Sequence, residues 1–188
     1  MTTSVVSPTP RAFGRSVRIE LAHFSPSYRW AAIIALTLLA GTAATAVWEV
    51  WARLAAPLWI GGPLEPAGLI RSVFANAGGV QISALTAEWL HFVTGLIAYP
   101  AAYLVVARPV ARGLGRVLPQ WLRWITAPVL VGAVYGAALF AFALYLMAHL
   151  LAGFPPFLGW GQLAFASLTG HVLYGVAVAL VVWKSRSH

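Results

Sequence analysis

Few residues in this chain can do chemistry, and most of them sit where ionisable groups are costly. There is no cysteine and no aspartate, which leaves four glutamates and five histidines. Two of those glutamates, Glu49 and Glu88, and three of the histidines, His91, His149 and His171, fall inside long apolar runs. A charged side chain at the centre of a bilayer costs about 2.5–3.5 kcal/mol on insertion scales, so such groups usually face a bundle interior or a wet cavity. Glu88 and His91 are three residues apart and therefore share a helix face, which Gly95 and Tyr99 continue.

Four readings of this set are open. Glu49, His91, His149 and His171, with Glu88 as a neighbour, could ligate a divalent metal through imidazole and carboxylate, a donor set suited to zinc, iron, manganese or copper(II). No HxxxH or HExxH motif anchors such a site. The same residues could handle protons, because burial disfavours the charged form of either group while pairing favours it. A b-type haem would need two facing histidines, His91 with His149 or His171. Finally, the groups could simply hydrogen-bond across a bundle and fix helix register, at about 0.6–2 kcal/mol per bond. Without cysteine, thiolate zinc sites, iron–sulfur clusters and disulfides are excluded, and no residue is assigned a catalytic role.

The elements that must position these residues follow from composition. Of the 188 residues, 61% are hydrophobic and 9% charged, with a mean hydropathy of +0.82; a soluble domain carries about 25% charged residues. A bilayer crossing needs roughly 20 apolar residues, and four stretches qualify: residues 30–53, 82–107, 124–152 and 161–183. Lipid offers no partners for backbone polar groups, so each must be helical. The expected fold class is an all-α, integral-membrane four-helix bundle with short interfacial helices. Residues 1–29 have arginines but no apolar core, which predicts an uncleaved first span rather than a signal peptide.

Charge sets the expected orientation. Ten of the twelve Lys and Arg flank the outer ends of the chain and fill the loop 108–123, against Arg53 and Arg71 on the other side. The positive-inside rule then places both termini and that basic loop in the cytoplasm, with residues 54–81 as an external loop, in a bacterial inner membrane. The net charge of +8 is explained by this membrane bias, so no nucleic-acid partner is implied. Seven tryptophans near span ends, Trp30, Trp51, Trp59, Trp121, Trp124, Trp160 and Trp183, fit an aromatic belt. The segments 15–24 and 108–123 are expected to lie along the inner surface, and Pro66–Asn76 to form a short helix. Glu49, Glu88, His91 and His149 then fall toward the outer ends of their spans and His171 near the midplane, which predicts one external-side pocket.

For packing, Gly132 and Gly136 form a GxxxG pair that suits close contact within the bundle or, alternatively, a homodimer seam. Pro100 and Pro128 are candidate kinks. Tyr99 and Tyr103 read as packing residues, His23 and His188 as solvated flanks, and Arg53 and Arg71 as partners for Glu49 or Glu65 or for lipid headgroups.

The motifs WEVW, LHFVTG, MAHLLAGFPPFLGW and LTGHVLYG, scattered over about residues 40–175, resemble the YagU-type family of bacterial inner-membrane proteins. The resemblance marks Glu49, His91, His149, Pro155, Pro156, Gly170 and His171; the external loop departs from it, being shorter and lacking a PPR-like element. It implies a membrane protein sometimes linked to acid tolerance and names no cofactor. Two functional expectations result: a membrane protein using the His/Glu cluster for metal-ion or proton handling, or an accessory subunit of a larger membrane complex. An enzyme is disfavoured, for want of aspartate, cysteine, a nucleotide-binding glycine loop or a soluble domain; a lipid-modifying His–Glu pair is the form one would take.

Overall fold

The computed structural model describes residues 26–185. The predicted surface segment 15–24, the basic residues Arg11, Arg15, Arg18 and Arg186, and the flanking His23 and His188 lie outside these residues. Four helices are long and apolar enough to cross a membrane: Trp30–Ile60, Ala84–Val117, Pro128–Leu151 and Gln162–Lys184. Among the described residues there is no strand. These features are those of a multi-pass membrane protein.

The ends of the helices follow local chemistry. Gly61, at φ 78°, stops the first helix in the left-handed region that other residues avoid. A short helix, Pro66–Gly78, starts with proline in its first turn. Ser83 caps the second span by accepting a hydrogen bond from the Thr86 amide at 3.0 Å. That span does not stop at residue 107. It continues through Arg108–Val117, so the first half of the predicted basic loop is an extension of the helix. The rest of the loop is a tight helical turn, Gln120–Thr126. Pro128 opens the third helix rather than kinking it, because a first-turn amide has no intrahelical partner to lose.

Three of the helices' turns are widened to i→i+5 bonding, and each lies just before a proline: Trp51–Ala55 before Pro57, Thr94–Ala98 before Pro100, and Tyr103–Ala107 before Pro109. Proline lacks an N–H and its ring clashes with the carbonyl four residues back; a wider turn relieves the clash but does not replace the missing donor. In that register the carbonyls of Ala52 and Gly95 would still point at a proline nitrogen. Each is met from elsewhere: Ala52 by the Leu64 amide at 3.2 Å, and Gly95 by the Tyr174 hydroxyl at 2.6 Å. A fourth widened stretch, Phe142–Leu151, ends the third span with no proline inside it.

Packing is organised around the fourth helix, which lies against the third and the first. Gly132 and Gly136 face this helix, where an added Cβ would meet the backbone of Gly175–Val176 at 2.7 Å and that of His171–Val172 closer still. The GxxxG pair therefore serves the intramolecular seam. The first helix contributes a stripe at every fourth position, Ala40, Ala44, Trp48, Ala52 and Ala56, all buried. Small residues there let backbones approach closely. Asn76 ties the short helix to the third span by donating to the Ala152 carbonyl at 2.6 Å.

Candidate functional site

Glu49, Glu88, His91 and His149 all fall at the end of the bundle where the 61–83 and 152–161 connections lie. His171 sits deeper, about 13 Å along the fourth helix at 1.5 Å per residue. The structure separates them into unequal groups.

Glu49 and His91 meet directly. With the His91 Nε2–H donating, Nε2 lies 3.1 Å from Glu49 Oε1. The other carboxylate oxygen, Oε2, accepts from Arg53 Nε at 2.5 Å, one turn along the same helix. Arg53 Nη2 is also 4.0 Å from Glu88 Oε2. The four side chains form a graded string: Arg53 is 57% exposed and Glu88 41%, whereas Glu49 is 21% and His91 16% exposed. The string thus runs inward from the exposed Arg53 through Glu49 to the largely buried His91.

His171 is buried at the far side of Trp48. Its ring meets the indole edge-on at 4.6 Å, and His91 lies against the same indole at 6.5 Å. The His171 Nδ1–H donates to the Ser167 carbonyl of its own helix at 2.8 Å. Partners therefore fix both tautomers in the neutral state, leaving His91 Nδ1 and His171 Nε2 as the acceptor nitrogens.

His149 is not part of this group. Its Nδ1–H donates to the Phe154 carbonyl at 2.8 Å, and its ring lies against Tyr145, so it clamps the Gly153–Trp160 loop locally. The four-ligand set expected from depth does not assemble. Among the described residues, no three of His, Asp and Glu come together as a metal ion requires.

A cavity of about 330 Å³ lies between the helices, at the lower end of the usual range for small-molecule sites, about 300–1,000 Å³. His91, His171, Ser167 and Tyr174 line it together with Thr45 and Trp48. Leu64 and Leu69 from the short-helix region, and Phe154 and Leu158 from the 153–160 loop, supply much of the apolar wall. Two polar atoms of the lining residues, Thr45 Oγ1 and Trp48 Nε1, are buried with no hydrogen-bond partner. Buried polar groups are nearly always paired, so these two atoms are exceptions within the lining residues. Sequence reasoning missed Trp48, Thr45 and Ser167. Trp48 is adjacent to Glu49 in the WEVW motif, the one signal that could have pointed to it.

Compared with known proteins, the chain matches no protein-family model, no curated protein and no solved structure.

Proposed function

We propose that this multi-pass membrane protein binds a weakly acidic amphipathic molecule in the cavity and takes up its proton at His91. The observation that carries this reading is the shared wall: a carboxylate-paired imidazole, a second imidazole and an unpartnered indole N–H all belong to residues lining one largely apolar cavity. In the proposed step the ligand O–H gives its proton to His91 Nδ1. The imidazolium that forms is stabilised by the Glu49 carboxylate and by the ligand oxyanion held beside it. The apolar walls hold the ligand's hydrocarbon part. This is the proton-handling form of the His/Glu expectation, narrowed to Glu49, His91 and His171. Resemblance to the YagU-type family, which includes three of these residues, is compatible with it and supplies no ligand.

The test is titration of purified protein with decanoic acid, with decanol and methyl decanoate as equally long controls. Calorimetry in two buffers of different ionisation heat reads the proton transfer. The acid should bind more tightly than either control, with proton exchange that disappears in Glu49→Gln and His91→Gln. Equal binding of acid and ester, or unaltered proton exchange in both variants, overturns the reading.

A further inference from the structure

The opposite end of the bundle holds a second cavity of about 230 Å³, bounded by the end of the second helix, the Gln120–Thr126 turn, the start of the third helix and the end of the fourth. Its wall is divided. Arg108, Arg112 and Thr126 supply polar groups on one side, while Val131, Ala179 and Val182 are apolar on the other, with Tyr103 and Trp183 completing the lining. No carboxylate lines it, and no Asp or Glu follows Glu88 anywhere in the sequence.

The helix that carries the arginines is itself amphipathic. Arg108, Arg112 and Arg116 recur every fourth residue and so share a face. Val110, Leu114 and Val117 are exposed apolar residues of the same segment, and Trp121, Trp124 and Trp183 are exposed around it. A basic, apolar-backed segment ringed by tryptophan suits the headgroup level of a membrane.

We propose that this cavity is a binding site for the phosphate of an anionic phospholipid. The guanidinium of Arg112 pairs with the phosphate oxygens, with Arg108 beside it, and the first acyl carbons lie along Val131, Ala179 and Val182. Arginine suits the task because its planar fork can donate two parallel hydrogen bonds to one phosphate. The shared chemistry is a phosphate oxyanion, for which free phosphate is the other source. The apolar half of the wall favours the lipid, since a free anion gains nothing from valine side chains. By the positive-inside rule this end faces the cytoplasmic leaflet, where basic pockets between spans meet anionic headgroups.

Native mass spectrometry of the full chain in mild detergent tests the assignment, with phosphatidylglycerol and phosphatidylcholine of the same acyl chains as probes and inorganic phosphate as a third arm. Phosphatidylglycerol should be retained preferentially. Arg112→Gln should weaken its retention roughly fivefold, the size expected for losing one favourable charge at a membrane surface. Arg112→Lys should keep part of it, and Arg71→Gln, at the other end of the bundle, should have a much smaller effect. Equal retention of the two lipids overturns the proposal, as does an Arg112→Gln effect no larger than that of Arg71→Gln. Inorganic phosphate displacing the lipid at equal concentration overturns the lipid assignment. Should Arg112→Gln fail to fold, the contrast between the two lipids on the unmodified chain decides alone.

Discussion

Trp48 links the two halves of the cavity chemistry, because its indole touches both His171 and His91. Its seat depends on a missing side chain. A Cβ at Gly170 would come within 2.5 Å of the Trp48 ring and 2.8 Å of Trp51. Gly170→Ala is therefore expected to destabilise the protein by about 1–3 kcal/mol through overpacking and to displace the indole. Thermal unfolding in detergent, with near-ultraviolet circular dichroism to follow the tryptophans, checks it. Gly113 makes the contrast: nothing lies within 4 Å of an added Cβ there, and the residue is helical. Gly113→Ala should leave the protein as stable or raise its stability by up to about 1 kcal/mol. An equal loss in both variants would mean that Gly170 is not a seat for Trp48.

At the level of the helices, the widened turn before Pro100 explains the position of Tyr174. Tyr174 satisfies the Gly95 carbonyl, which Pro100 cannot. Tyr174→Phe should cost about 1–2 kcal/mol, and most of that cost should vanish in a Pro100→Ala background, where residue 100 regains its N–H. A double-mutant cycle by chemical unfolding measures the coupling; strict additivity would show that the hydroxyl acts elsewhere. Such pairings explain what the sequence could and could not reveal. Apolar runs mark the four helices plainly, and Pro66 marks a real start, whereas the Ser83 cap of the second span was not read from the sequence. The extension to Val117 was hidden because RPVARGLGRV looks like a loop once its apolar run ends, although its arginines keep helical spacing. The alanine stripe of the first helix was hidden for the opposite reason: in a span where every face is apolar, small residues give no directional signal. Depth along each span brought Glu49 and His91 to the same level, and they do pair. The same reasoning misplaced His149, because rise along the axis says nothing about azimuth, and a nearby loop carbonyl captured its ring.

Over the whole molecule, two chemically opposite ends are joined by an apolar middle. One end gathers the carboxylates Glu49 and Glu88 with Arg53 and His91. The other presents Arg108 and Arg112 to a cavity without acid. The orientation expected from charge puts the first end outside, and the cysteine-free chain makes a clean test, since any introduced cysteine is unique. Gly62→Cys, in the connection after the first helix, should react with a membrane-impermeant maleimide on intact cells. Gly113→Cys should react only after permeabilisation. The reverse pattern would invert the topology and move both proposed sites to the opposite leaflets. Between these ends, the second helix carries two widened turns, and each accommodates one residue beyond an α-turn. A residue advances an α-helix by about 100°, so the prolines at 100 and 109 act as phase shifters along the rod. Deleting one residue from 94–98 would leave Glu49 and His91 in step while swinging everything beyond them around the axis. The arginines would then turn away from their cavity. Such a chain would stay apolar and long enough to span the membrane, yet its two ends would no longer be in register.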